Sequence, residues 1–353
     1  MKKNLLVSTG ILLLSSMIMV SCTGKKPGIS EAKELNGAGA TFPKVLYEKY
    51  FDQYYQQKQV QVNYQAVGSG AGINTLIEKT IDFGATDAPM KADEEEKAGS
   101  PVIHIPTSLG AVVLTYNLDG NPKLKLNATA ISGIFLGTIT KWNDPLLQQL
   151  NPEVNLPSAD IAVIHRSDGS GTTYTFTEYL TKADPNWKKA LGTGKTVNWP
   201  VGLGGKGNDG VAGLLMQTPY SIGYVELIYA TQNNLPYALV QNKTGHFVEP
   251  TMESVSKAAD TTLPDDLKVS ITDTNAAEGY PISTFTWIIL YREQRYNNRD
   301  IAKAKAAYNL LWWMIHEGQE INETLQFGRL PDLAVQKAER LIQQITFDGK
   351  ALP

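Results

Sequence analysis

The chain has 353 residues, of which 42% are hydrophobic and 9% are aromatic. This length is enough for two domains of ordinary size, and the composition is that of a globular protein. The formal net charge of -3 gives no indication of nucleic acid or of an anionic membrane surface as a partner. Any bound anion must therefore be attracted locally, by oriented dipoles and one or two cations.

The N-terminus has the pattern of a secretory signal, which we predict over residues 1–21. A basic start precedes a mostly apolar stretch, Leu5 to Val20, which is too short for a dependable membrane span. Cys22, the only cysteine, stands at the cleavage point of a bacterial lipoprotein signal, so lipidation of Cys22 is predicted. The alternative is a chance cysteine after an ordinary signal peptide. Residues 22–34 are polar and predict a flexible tether, and the expected location is the periplasm or cell envelope.

The next segments alternate between helical and extended patterns. We predict an amphipathic helix over Lys44–Gln57, a strand over Val60–Val67, and a turn over Gly68–Gly72 before a helix that begins at Ile73. The apolar run Ile161–His165 predicts a short strand, followed by another glycine-rich turn and a helix. This rhythm indicates an α/β protein with largely parallel or mixed sheets.

The C-terminal part of the chain predicts further core elements. Thr284–Tyr291 has the pattern of a buried strand, and Ile301–His316 and Leu333–Ile345 have that of helices. Trp312 and Trp313 fall at helical spacing among leucine and methionine, which is typical of core packing rather than of a ligand platform. No internal repeat of fixed period is present.

Three glycine-rich segments, Gly37–Pro43, Gly68–Gly72 and Arg166–Thr172, have the pattern of anion cradles. Glycines let the backbone approach a ligand, and a following helix start offers free N–H groups and a partial positive charge. Four of the hydroxyls in these segments are candidate donors to an oxyanion, namely Thr41, Ser69, Ser170 and Thr172. The same hydroxyls could serve as helix N-caps, and both roles are compatible. A fourth stretch, Leu203–Gly213, lacks the Lys-Ser or Lys-Thr of a P-loop and is predicted to have a structural role at a helix start or domain face.

Three charged residues make these cradles more specific. Arg166 offers a planar fork of donors that suits a tetrahedral oxyanion, and Asp168 is placed to hold that fork. Without the other cradles, the two would read as an ordinary surface ion pair. Asp87, in a short polar turn, would repel a fully ionised anion but would accept a hydrogen bond from a protonated one. Phosphate keeps a proton near neutral pH and sulfate does not, so Asp87 is predicted to act as a filter.

With these motifs the chain resembles a known family, the periplasmic phosphate-binding proteins (PstS) of bacterial ABC phosphate importers. The resemblance rests on eight segments that stand in the family's order and span nearly the whole mature chain: GAGATFP, NYQAVGSGAG, DFGATDAP, RSDGSGT, KGNDG, IGYVE, QNNLPYA and YPISTFTW. It implies that inorganic phosphate is the ligand, without a further cofactor or metal. The phosphate contacts that it implies are Thr41, Phe42, Ser69, Asp87, Arg166, Ser170, Gly171 and Thr172, with Asp168 behind Arg166.

The resemblance also implies an architecture and partners. Two α/β lobes of type II-like periplasmic binding proteins are expected, joined by a hinge and closing on the ligand. Residues 35–106 and 283–353 would form lobe I, and residues 107–282 lobe II. The expected partners are the membrane permease and ATPase subunits of a phosphate importer, and the expected state is a monomer.

Other readings stay open on the residues alone. The same fold could take sulfate, molybdate or tungstate, against which Asp87 argues, or arsenate, which is protonated like phosphate. A serine hydrolase or phosphatase would need a histidine base or a metal cluster, and the four histidines are scattered singly. A structural or adhesion lipoprotein would not need three anion cradles.

Overall fold

The computed structural model describes residues 31–352, which belong to one compact unit. Cys22 and the predicted signal therefore lie outside the described residues. The strands are β1 Glu34–Gly39, β2 Gln61–Ala66, β3 Phe83–Thr86, β4 Val102–Tyr116, β5 Lys125–Leu126, β6 Ala162–Arg166, β7 Leu203–Gly205, β8 Ser221–Glu226, β9 Leu239–Gln241, β10 Phe247–Val248, β11 Ser283–Tyr291, β12 Thr346–Phe347 and β13 Lys350–Ala351.

The helices are of ordinary length and mostly follow strands. They are α1 Lys44–Lys58, α2 Ser69–Ile77, α3 Ala92–Ala98, α4 Ala128–Phe135, α5 Pro145–Leu150, α6 Gly171–Ala183, α7 Pro185–Ala190, α8 Gly207–Gln217, α9 Leu227–Gln232, α10 Met252–Ala258, α11 Ile301–Ile315, α12 Gln319–Asn322 and α13 Asp332–Ile342. A single 3₁₀ turn at Glu323–Leu325 follows α12.

An eight-stranded sheet in the order β2-β1-β3-β11-β4-β8-β6-β7 organises the described chain. Its two ends are parallel blocks, since β1 runs parallel to β2 and β3, and β6 runs parallel to β7 and β8. The antiparallel strands β11 and β4 join the blocks. The predicted mixed α/β architecture is confirmed.

Strand β4 connects the two ends of the sheet. It has 15 residues, and all but the first are buried. Its first part pairs with β11 and its last part with β8. Its last part, Ala111 to Leu114, is a continuous apolar run, as expected of a strand buried on both faces, whereas its first part also buries the polar side chains of His104, Thr107 and Ser108.

The helices pack through apolar faces at helical spacing. In α1 the buried side chains include Tyr47, Tyr50, Phe51 and Tyr54, which recur at intervals of three and four residues. Trp313 in α11 is 2% exposed and packs edge-on against Tyr54. The prediction of core packing is therefore confirmed for Trp313.

The largest difference between a predicted and an observed helix boundary is at the start of α2. The sequence predicts a helix that begins at Ile73, but the helix begins at Ser69, so the glycines of the Gly68–Gly72 segment lie mostly inside its first turn. Gly68 makes the turn by itself, at a φ of 96° that favours glycine. Glycine normally disfavours a helix interior, but here the N–H of Gly70 binds the carbonyl of Gly169 at 2.9 Å. A tertiary contact thus stabilises a helix start that local preference does not favour.

Candidate functional site

The loops that follow the parallel strands of both blocks meet at one edge of the sheet. Ligand sites of open α/β sheets lie outside the carboxyl ends of the strands. Five such loops converge here, and they carry Thr41 and Phe42 after β1, Ser69 after β2, Asp87 after β3, Arg166 to Thr172 from the last residue of β6 onward, and Asn208 after β7. All of the predicted contact residues are buried.

Helix starts point into this region from both blocks. Helix α2 begins at Ser69 and α6 begins at Gly171. Ser170 is the N-cap of α6, and its hydroxyl accepts the N–H of Thr173 at 3.0 Å. The remaining N–H groups of the first turns and the helix dipoles favour a negative charge between them.

Ser69 lies against the loop of the opposite block. Its Oγ accepts the N–H of Gly171 at 3.1 Å, and it lies 3.3 Å from Oδ2 of Asp87. A Cβ placed on Gly171 would come within 2.6 Å of Asp87 Oδ2 and Ser69 Oγ. The approach of the two blocks therefore requires glycine at position 171.

Arg166 is a buried cation with an oriented guanidinium. Its Nε and Nη2 donate to the two carboxylate oxygens of Asp168 at 2.8 and 2.5 Å, and Nη1 donates to Thr172 Oγ1 at 3.3 Å. Burial opposes ionisation of Asp168, yet the Arg166 guanidinium holds the pKa of that carboxyl below its ordinary value. Asp168 also accepts the N–H of Gly207 at 3.1 Å. The carboxylate that orients the Arg166 guanidinium is therefore itself held in place by the main chain.

Asp87 is 2% exposed, and its surroundings set its protonation. Its Oδ1 accepts the hydroxyl of Thr286 at 2.8 Å. Burial raises the pKa of Asp87 to about 7, against the opposing effects of Thr286, Arg166 and Ser69. Thr286 lies beside a register shift between β11 and β4, and such irregularities often re-aim a side chain next to a functional site.

The raised pKa of Asp87 predicts a pH-dependent stability. The carboxyl of Asp87 keeps its proton up to about pH 7 in the folded state, whereas in the unfolded chain it loses the proton near its ordinary pKa of 3.8. The free energy of unfolding therefore falls as the pH rises from about 3.8 to about 7. We expect Asp87→Asn to raise the Tm of the ligand-free protein at pH 8, on the order of 5 °C, and to flatten its fall between pH 5 and 8. The measurement is a thermal melt across that range.

The control for this prediction is Asp209→Asn. Asp209 pairs with Lys44 at 3.4 Å, and its side chain is 56% exposed, so its removal should leave Tm nearly unchanged. An Asp87→Asn protein that melts at or below the wild-type temperature at pH 8 would contradict the prediction.

Two polar residues at the site were not among the predicted ones. Thr286 binds Asp87, and Asn208 binds the hydroxyls of Thr41 and Thr172 at 2.9 and 3.1 Å. Asn208 lies in the glycine-rich KGNDG segment, whose pattern predicts only a structural role. The sequence pattern of β11 does not predict that Thr286 faces the site. Every residue of this strand is buried, so the alternation of side chains does not show which hydroxyl points toward the site.

The histidine rings have other partners, although Nδ1 of His165 lies 3.0 Å from the main-chain carbonyl oxygen of Arg166. His165 stacks on Trp199 with ring centroids 4.9 Å apart, and His104 accepts the N–H of Met90. His316 pairs with Glu339. Within residues 31–352, no group of three or more His, Cys, Asp or Glu side chains could hold a metal ion, and no helix in that range is long and apolar enough to span a membrane.

Residues 25–315 match the family model of the PBP superfamily domain. The strand order of the sheet and the loops that converge at its edge agree with this class. The chain is 40% identical over 330 residues to the phosphate-binding protein PstS of Pasteurella multocida, covering 92% of this chain and 94% of that relative. The chain belongs to the PstS family of phosphate-binding proteins.

Solved structures have the same fold. A high affinity periplasmic phosphate-binding protein (PfluDING) bound with phosphate superposes with a TM-score of 0.72 at 18% identity, covering 91% of this chain and 99% of that one. An ABC-type phosphate transport receptor from Vibrio cholerae superposes with a TM-score of 0.55 at 19% identity, over 84% of this chain and all of the other. At these identities the likeness extends to the fold alone.

Proposed function

We propose that this protein binds inorganic phosphate between the two strand-end loop clusters and delivers it to an ABC phosphate importer. It acts as a binding protein, not as an enzyme. The observation that carries the proposal is the pairing of a buried cation, Arg166, with a buried proton acceptor, Asp87, among helix starts. That combination suits a tetrahedral anion that still holds a proton. Membership of the PstS family supports the same ligand.

In this proposal each predicted contact has a role. Asp87 accepts the phosphate proton, and Arg166, oriented by Asp168, supplies charge-assisted hydrogen bonds. The other donors are the hydroxyls and main-chain N–H groups of Thr41, Phe42, Ser69, Ser170, Gly171 and Thr172. Their burial and their position at loops after parallel strands support the assignment.

We further propose that the ligand lies between two lobes, residues 35–106 with 283–353 and residues 107–282. The parallel block of β1 to β3 comes from the first set of segments and that of β6 to β8 from the second. The contacts of Gly70 with Gly169 and of Ser69 with Gly171 link the two sets. A hinge in the connecting strands would open and close the site.

The cellular context is part of the proposal. The protein would act as a monomer in the periplasm or cell envelope, anchored by a lipid on Cys22, and would dock on the membrane permease whose ATPase subunits drive import. Membership of the PstS family of phosphate-binding proteins supports this setting. The lipid anchor is tested by mass spectrometry of the mature N-terminus.

Calorimetric titration with phosphate and with sulfate tests the binding function. We expect one phosphate per chain and a much weaker response to sulfate. No phosphate should be released over time from a model phosphate monoester, because Ser69 contacts Asp87 and Gly171 rather than a histidine base. Time-dependent release would contradict the role of a binding protein, and the absence of heat with phosphate would contradict the ligand.

Gly171→Ala is expected to weaken phosphate binding by about 5- to 150-fold, the cost of about 1–3 kcal/mol for an added methyl in a packed site. The new Cβ would clash with Asp87 and Ser69 across the site, so the two blocks could not approach fully. Titration calorimetry measures the affinity.

The matched control for this substitution is Gly213→Ala. Gly213 lies within α8, and a Cβ there meets no atom within 4 Å. This change should leave affinity unchanged and stabilise the helix slightly. Equal affinities of the Gly171→Ala and wild-type proteins would show that the site closes without this contact.

A further inference from the structure

Asn208 lies at the start of α8, is 0% exposed, and contacts both threonine hydroxyls of the site. Its Nδ2 donates to Thr41 Oγ1 at 2.9 Å and to Thr172 Oγ1 at 3.1 Å. Its main-chain N–H also donates to Thr41 Oγ1, at 3.2 Å. Thr41 follows β1 and Thr172 follows β6, so one amide joins the two parallel blocks.

The direction of these hydrogen bonds is determined by the other end of the amide. Asn208 Oδ1 accepts the main-chain N–H of Glu226 at 2.9 Å. Since an N–H group can only donate, the oxygen of the amide must face Glu226 and the NH₂ group must face the threonines. The opposite orientation would bury two donors against each other.

This orientation of the Asn208 amide determines whether the hydroxyls of Thr41 and Thr172 donate or accept hydrogen bonds. Thr41 Oγ1 accepts two hydrogen bonds from Asn208, and Thr172 Oγ1 accepts one from Asn208 and one from Arg166 Nη1. A hydroxyl oxygen has two acceptor sites and one proton. Both threonines therefore have their acceptor sites filled and can act toward a ligand only as donors.

We propose that Asn208 is a positioning residue that sets Thr41 and Thr172 as donors and ties their loops together across the site. It acts through the threonines and does not touch the ligand. The inference rests on the proposed phosphate-binding function. In it, Asn208 makes the site selective for an oxyanion whose oxygens can accept hydrogen bonds from the two threonines. A ligand that must donate to either threonine is rejected because no acceptor site is left.

Asn208→Asp and Asn208→Ala test the proposal by phosphate titration. The carboxylate of the first variant would accept from both hydroxyls, reverse their polarity and add negative charge, so we expect at least about a 100-fold rise in Kd. The second variant removes the donors and is expected to raise Kd about 10-fold. Near-native affinity in either folded variant would overturn the proposal.

A double-mutant cycle separates positioning from a general structural effect. In a Thr41→Val/Thr172→Val background the hydroxyls are gone, so adding Asn208→Ala should change Kd by less than about twofold. Full additivity would mean that Asn208 does not act through the threonines, and would overturn the proposal.

Asn242→Ala is the matched control, because Asn242 is a buried asparagine whose amide binds the carbonyls of Ala276, Ala277 and Gly279 instead. We expect it to lower Tm without changing phosphate affinity. Wild-type titration is done first, so a failure of the proposed function is seen separately from a failure of this inference.

If the Asn208 variants do not fold, the side-chain amide NMR signals of the wild-type protein test the proposal instead. The Asn208 NH₂ signals should shift on phosphate addition while those of Asn242 stay, and an unshifted Asn208 pair would overturn the proposal.

Discussion

Replacing Arg166 with alanine is expected to weaken phosphate binding by about 2–5 kcal/mol, roughly 30- to 5000-fold in Kd. Arg166 is 3% exposed and its guanidinium is oriented by Asp168 on two nitrogens. The variant would leave a buried anion without its cation and would leave Asp168 without its partner. Both effects oppose binding, because an uncompensated charge in a dry site is costly. Titration calorimetry measures the loss.

Companion variants separate the two effects. Arg166→Ala/Asp168→Asn removes the stranded carboxylate and should recover part of the lost affinity. Arg166→Lys keeps the charge but loses the planar fork, and should bind with intermediate affinity. Arg295→Ala is the control, since Arg295 pairs with Asp348 on the surface with both side chains over 60% exposed. Near-native binding by Arg166→Ala would remove Arg166 from the site.

Asp87→Asn is expected to lower the ratio of phosphate to sulfate affinity by roughly 100-fold or more, mainly by improving sulfate binding. An ionised Asp87 repels a fully ionised anion, and two unit charges about 4 Å apart interact by about 4 kcal/mol at an effective dielectric constant of 20. The asparagine has no charge, and its NH₂ group can donate to sulfate. Phosphate loses one acceptor for its proton but also escapes any repulsion, so its affinity should change less.

The pH dependence of sulfate binding gives this prediction a second readout. Because burial raises the pKa of Asp87 to about 7, sulfate should bind about tenfold more tightly for each pH unit below pH 9 and level off below pH 7. Asp87→Asn should abolish this slope, whereas Asp209→Asn, which removes an exposed carboxylate at the start of α8, should retain it. An unchanged selectivity ratio in Asp87→Asn would mean that another residue discriminates between the anions.

Much of the local architecture could be predicted because its causes are local. The apolar spacing of Tyr47, Tyr50 and Tyr54 predicted α1, which ends one residue after the expected Gln57. The strand, glycine turn and helix start around Arg166–Thr172 were likewise encoded in a short segment. In contrast, the start of α2 depends on Gly169, which lies about 100 residues away in the chain, and local preference put that start at the wrong residue.

The α/β class, the glycine-rich loops and, by resemblance, the family and a candidate set of contacts can all be inferred from the amino-acid sequence. Residue types and their spacing are sufficient for these, since a glycine turn before a helix and a buried apolar run act over a few residues. That Asn208 joins Thr41 to Thr172, and that Thr286 supports Asp87, is seen only in the folded chain. The tertiary structure also decided the pKa of Asp87. Those properties depend on burial and on partners 36 to 199 positions apart, which are brought together by the order of strands in the sheet.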